Sequence, residues 1–371
     1  MFWRARDVAC QQPGIRSETA MQSNNCLNRS IRALWILTLT LFVSLGAQAA
    51  SLTLVESFGK NPGNLKMYKY LPPGLKENAP LVVVLHGCGQ NADIYGQGAG
   101  WVGLADKFGF ALVLPEQQES NNQRHCFNWF NGFTWRDYLP WNFQWIGSDI
   151  DRDNGEAESI ASMVTSAIKT HRLDQRRVFV TGLSGGGAMT AVMLATYPEL
   201  FAGGAVLAGV PYKCATDIYV ALSPSECGLD YPKKAGNARI KSPSPAIWGD
   251  RVREANRGFR GPWPRLSIWH GTADGTVVIA NADELEKQWL NVQGLDKVPA
   301  SIERPPESNH RHSTYRDAQG RVQLEVHRIV GMGHGTPIID GQCGRKGEHL
   351  FDVGICSSHQ IARFWGIAPL P

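Results

Sequence analysis

The 371-residue sequence contains no C-x-x-C and no H-x-x-x-H, so its histidines and cysteines lack the spacing of a zinc site. No basic run with interleaved aromatics occurs, and beyond residue 49 its 32 Lys and Arg nearly balance 31 Asp and Glu. That balance argues against nucleic acid or an anionic surface as partner. Internal repeats and low-complexity linkers are absent too. Long apolar runs are scarce: the strongest, Ala33 to Leu45, is too short to span a bilayer comfortably. It follows Arg29 and Arg32 and ends at Ala47-Gln48-Ala49, the small-x-small pattern of leader cleavage. Residues 1–49 therefore read as a leader, with Met21 as an alternative start, and Ala50 as the first residue of an exported chain. Export would be to the periplasm or the extracellular space, with no stable membrane anchor once the leader is removed.

Six cysteines follow the leader: Cys88, Cys126, Cys214, Cys227, Cys343 and Cys356. An even count in an exported chain predicts disulfides, and six cysteines allow about 15 pairings. Short loop closure favours Cys214–Cys227 and Cys343–Cys356, which leaves Cys88–Cys126.

The remaining chain alternates strand and helix patterns. Residues 51–70 suit opening antiparallel strands. Pro80 to Leu85, Phe110 to Leu114, Val178 to Thr181, Ala202 to Val210, Leu266 to His270 and Val322 to Ile329 read as further strands. Residues 99–108, 156–171, 281–292 and 357–365 carry helical patterns. Such alternation predicts an α/β fold with a mostly parallel central sheet and helices on both faces, as one domain over 50–371. Two stretches stand apart. Residues 116–155 are rich in Trp and Phe without period, which suggests a functional loop. Residues 212–262 look like a loop-rich insertion.

Val178 to Thr181 runs into Gly182-Leu183-Ser184-Gly185-Gly186, which fits G-x-S-x-G, followed by helix formers from Ala188 to Tyr197. A strand, a sharp turn at serine and a helix make a nucleophile elbow. A serine hydroxyl needs a base within hydrogen-bond reach, itself oriented by a carboxylate. In an α/β-hydrolase sheet these follow in the order Ser, acid, His, each on a loop after a strand. Asp274 follows the strand ending at His270, and His334, framed by glycines, follows the strand ending at Ile329. Asp283 is the next acid candidate, but it falls in the first turn of a helix. Among other histidines, His310 and His312 are expected in a polar loop, His327 in a strand, and His86 as a structural hydrogen-bonding residue. The oxyanion donors would be the backbone N–H groups of Gly185 and Cys88. A Cys88–Cys126 disulfide would stiffen that loop. The aromatic stretch, with Trp129, Trp135, Trp141 and Trp145, suits either a packed loop or an apolar groove for an acyl chain or polyester.

Leu85-His86-Gly87-Cys88, Cys126 to Phe130, Thr181 to Thr190, His270 to Asp274, Gly331 to Pro337 and Ile361 to Gly366 together resemble the extracellular polyhydroxybutyrate depolymerase family of esterases. The likeness extends over about residues 65–366. It implies a secreted serine esterase for short-chain 3-hydroxyalkanoate esters, without metal or organic cofactor, with Ser184, Asp274 and His334 as its triad. Feruloyl and acetylxylan esterases share much of the pattern, which keeps plant polysaccharide open as a substrate. A non-catalytic polymer-binding protein of the same fold is the remote alternative. Three departures stand out. Position 185 is Gly where the family commonly has Ala or Ser. The loop after Phe130 is longer and more aromatic. The sequence also ends soon after its last helix, where depolymerases of crystalline polymer usually append a linker and binding domain, so weak action on solid polymer is expected.

Overall fold

The computed structural model describes residues 51–130, 148–215, 227, 242–304 and 309–369. The leader and Trp135, Trp141 and Trp145 lie outside these. A ten-stranded sheet organises the chain in the order β1-β2-β4-β3-β5-β6-β7-β10-β9-β8. Its middle is parallel: β4 (Ala111–Glu116), β3 (Leu81–Leu85), β5 (Val178–Leu183), β6 (Gly203–Leu207), β7 (Arg265–Gly271) and β10 (Val322–Ile329). Antiparallel strands finish both edges, β1 (Thr53–Val55) and β2 (Lys66–Tyr70) on one side, β9 (His310–Arg316) and β8 (Ser301–Glu303) on the other. This is an α/β-hydrolase fold.

The apolar runs become central strands because both their faces are covered. All five residues of β3 are buried, as are all six of β5. Alternate residues then serve opposite layers. Val83, Leu85 and Val180 pack with Ile160 and Val164 of a helix over Gly155–His171 and with Met189 and Val192 of the helix over Gly185–Thr196. On the other face Phe179 stacks on Trp365, with ring centroids 4.8 Å apart, and Trp365 stacks in turn on Trp101 at 5.7 Å. The 155–171 helix carries Glu158 in its first turn and Lys169 in its last, charges matched to its dipole.

Four segments depart from the sequence reading. Residues Ala92–Gly98 form a helix, capped by the Asn91 side chain accepting from the Ile94 N–H at 2.8 Å. Its two glycines mask the helical pattern, yet Gly96 is where Leu114 Cδ2 approaches to 2.5 Å of a Cβ position. Within the expected insertion, Pro245–Ala255 is a helix begun by a Ser244 cap and a proline in the first turn. His310 and His312 lie in strand β9, not in a loop, because polar side chains there pair with buried groups of β10. Finally, β11 (Thr336–Ile338) and β12 (Leu350–Asp352) form a short parallel pair beside the sheet. Among the described residues no helix is long and apolar enough to cross a membrane.

Candidate active site

Strand β5 delivers Ser184 to the carboxyl edge of the sheet, where loops after parallel strands gather. The serine takes φ 56° and ψ −117°, a left-handed conformation rare for a residue with a Cβ. Two backbone bonds hold it there: Ser184 N–H donates to Leu207 O at 2.9 Å, and Ser184 O accepts from Ala188 N–H at 2.8 Å. Gly182 and Gly186 allow the turn to close. A Cβ at either would strike main-chain atoms, those of Leu85 among them. The helix begins at Gly185, so that residue's N–H is one of the end donors that helical hydrogen bonding cannot use.

The candidate acid and base come from neighbouring parallel strands. Asp274 follows β7, His334 follows β10, and the two strands pair in register from Leu266↔Leu324 to Gly271↔Ile329. Both side chains are buried, and His334 Nδ1 lies 2.8 Å from Asp274 Oδ2. The other carboxylate oxygen accepts the Thr276 and Val277 N–H groups, each at 2.8 Å. Burial would raise the Asp274 pKa, but hydrogen bonds from His270 and His334 overcome it and hold the carboxyl well below its ordinary value. His349, left without a role by the sequence reading, contacts His334. Its Nδ1 donates to the His334 carbonyl at 2.8 Å, and its ring stands edge-on to His334 with centroids 5.3 Å apart.

The loop after β3 approaches from the other side. Cys88 is bonded to Cys126, and a Cβ on Gly185 would lie 3.0 Å from Cys88 Sγ and 3.8 Å from Trp129 Cδ1. The 126–130 segment is therefore a wall of the site. Trp129 is half-buried and meets Phe130 edge-on at 5.3 Å. His86 sits beneath, accepting the Gln117 N–H on Nε2 at 3.1 Å while Nδ1 donates to Gly87 O at 2.8 Å. Burial brings its pKa down to about 4, so the ring is neutral and structural. Glu156, which composition alone did not single out, ties the wall down. Its carboxylate accepts the Asn128 N–H at 2.8 Å and the Gln117 side-chain amide at 2.5 Å. The other four described cysteines pair as Cys214–Cys227 and Cys343–Cys356.

Among the described residues one cluster holds metal-ligating side chains in reach of one another, His312, Glu325 and His327. Its geometry suits hydrogen bonding better than a metal. The imidazoles are cofacial, 4.1 Å apart and 11° from parallel, so their lone pairs run side by side and do not converge on one point. His312 Nε2 hydrogen-bonds one oxygen of Glu325 at 3.2 Å, and His327 Nε2 stands 3.2 Å from the other in electrostatic contact without a hydrogen bond. Burial alone would raise the Glu325 pKa, but these two rings and Ser267 bring it down to about 2.

Residues 65–308 match the family described as Esterase PHB depolymerase. Poly(3-hydroxyalkanoate) depolymerase C of Paucimonas lemoignei is 43% identical over 321 residues, 85% of this chain and 70% of that protein. Feruloyl esterase B of Thermothelomyces thermophilus is 33% identical over 297 residues, 79% of this chain and 91% of that protein. The solved acetyl xylan esterase from Aspergillus awamori superposes with a TM-score of 0.66 at 28% identity, covering 86% of this chain and all of that one.

Proposed function

The chain belongs to the Esterase PHB depolymerase family and is a carboxylic ester hydrolase, and from that premise we propose that it is a secreted serine esterase acting on short-chain 3-hydroxyalkanoate esters. The observation that carries the mechanism is the buried His334–Asp274 pair at 2.8 Å, on the same sheet edge as the Ser184 turn. Ser184 Oγ attacks the ester carbonyl while His334 Nε2 takes its proton. Asp274, paired to Nδ1, fixes the tautomer and balances the imidazolium. The oxyanion is held by the Gly185 and Cys88 N–H groups, each such donor worth roughly 3 kcal/mol in the transition state. His334 then returns the proton to the departing alcohol, and water reverses the sequence on the acyl-enzyme. Trp129 forms part of the acyl wall.

The 43% identity to a poly(3-hydroxyalkanoate) depolymerase supports the polyester substrate. Three disulfides fit an oxidising compartment, which supports export. A second reading, a feruloyl or acetylxylan esterase, draws on the 33% identity to feruloyl esterase B and the fold match to an acetyl xylan esterase. Purified protein offered amorphous polyhydroxybutyrate and feruloylated, acetylated arabinoxylan side by side decides between them. Release of 3-hydroxybutyrate monomer or dimer supports the first reading. Ferulate or acetate alone replaces it with the second.

A further inference from the structure

His270 is the last side chain of β7 before Gly271, fully buried, and four residues ahead of Asp274. Its Nε2 lies 2.7 Å from the Val277 carbonyl and 3.3 Å from Asp274 Oδ2. Both neighbours are acceptors, so Nε2 carries the hydrogen; it bonds the Val277 carbonyl and brings its positive edge within 3.3 Å of the carboxylate oxygen, an electrostatic contact. The ring's other nitrogen, Nδ1, is buried with no hydrogen-bond partner among the described residues. An orphan polar atom in the core is destabilising, and a phenyl ring would fill the same space without one. The Nε2–H is therefore what the position uses.

Its effect falls on one turn. Asp274 Oδ1 accepts the Thr276 and Val277 N–H groups, which close the turn from one side. His270 grips the Val277 carbonyl from the other and reaches the carboxylate oxygen that faces His334. Oδ2 thus stands between two imidazoles, His334 at 2.8 Å and His270 at 3.3 Å. We propose that His270 is a positioning residue of the esterase: its Nε2–H fixes the direction of Asp274 Oδ2 and moderates the charge that carboxylate presents to His334. This rests on the Ser184–His334–Asp274 reading above.

Gln places its amide nitrogen close to the position of an imidazole Nε2, whereas Asn is too short and Phe has no donor. His270→Asn and His270→Phe should lose about 10-fold in kcat with KM unchanged, because the acid is misdirected and binding is not. The acid limb of their kcat/KM profile should move upward, since an unshared carboxylate stabilises the His334 imidazolium more strongly. His270→Gln should recover kcat to within about twofold, together with the limb. Gln impaired as deeply as Phe, or Asn and Phe matching the parent protein, would overturn the proposal. Should Asn and Phe fail to fold, nitrogen-15 NMR of the intact protein reads the contact directly. The His270 Nε2 resonance must move in Asp274→Asn, and a stationary resonance overturns the proposal. Ser184→Ala and His334→Ala separate the two failures. Turnover retained by either sinks the triad itself, while inert variants with an unaffected His270 series sink only the positioning role.

Discussion

The disulfide sulfur of Cys88 fills the space over Gly185, 3.0 Å from where a Cβ would stand. Because Cys88 is bonded to Cys126, that sulfur cannot rotate away as a free side chain would. Gly185→Ala should therefore shift the loop that carries Cys88, lower kcat, and destabilise the fold by about 1–2 kcal/mol. In a Cys88→Ala/Cys126→Ala background the added methyl finds room, and the penalty should shrink. Denaturation and kinetics on the four proteins form a double-mutant cycle. Equal penalties in both backgrounds would show that the glycine is required for some other reason.

Ser184 itself stores strain, with φ at 56°. Glycine adopts that conformation freely, whereas alanine keeps the Cβ that makes it unfavourable. Ser184→Gly and Ser184→Ala should both abolish ester turnover, yet the Gly variant should be the more stable by about 1 kcal/mol. Urea unfolding of the pair tests this. If the Ala variant is equally stable, the turn is not strained in solution.

The Cys343–Cys356 disulfide encloses β12 and His349, the residue that hydrogen-bonds the His334 carbonyl. Cys343→Ala/Cys356→Ala should cost about 2–4 kcal/mol of stability. It should also lower kcat with little change in KM, because the loop buttressing His334 is loosened. A variant that melts earlier but turns over normally would mean that β11 and β12 hold the base unaided.

How much of this was visible before the structure depends on what each residue pairs with. The central strands were legible because burial on both faces leaves uninterrupted Val and Leu, as in Leu81–Leu85. The order Ser184, Asp274, His334 was legible because each follows a recognisable strand, β5, β7 and β10 in turn, and the structure sets the latter two in contact. Strand β9 was hidden because His310, His312 and Ser313 look solvent-loving. Their partners are non-local: His312 meets Glu325, and His310 Nε2 meets His327 Nδ1 at 2.8 Å. Glu156 was hidden for the same reason. As a first-turn acid it needs no further explanation, and only the fold reveals Asn128 and Gln117 converging on its carboxylate.

That buried carboxyl and its neighbour Asp149 predict an unusual pH dependence. Burial raises the Asp149 pKa to about 6, even though it accepts the Glu156 N–H at 3.1 Å. Glu156 is raised well above its ordinary value, by burial first and then by the nearby Asp149 charge. A carboxyl whose folded pKa lies above its unfolded one favours folding fully below the unfolded value. That contribution is lost as pH rises through the folded value, with a slope of at most roughly 1.4 kcal/mol per pH unit for one proton. For Asp149 the window runs from about its ordinary 3.8 up to about 6. Asp149→Asn keeps an oxygen for the Glu156 N–H but cannot ionise. Relative to the parent protein it should therefore gain stability between pH 4 and pH 8, with the gain concentrated below pH 7. Guanidinium midpoints for both proteins across that range cancel the other titrating groups except Glu156, whose own pKa falls once the Asp149 charge is gone and adds to the gain. A stability difference that stays constant with pH would mean that Asp149 is already charged at pH 4 and that Glu156 holds the wall of the site without any shift in its neighbour.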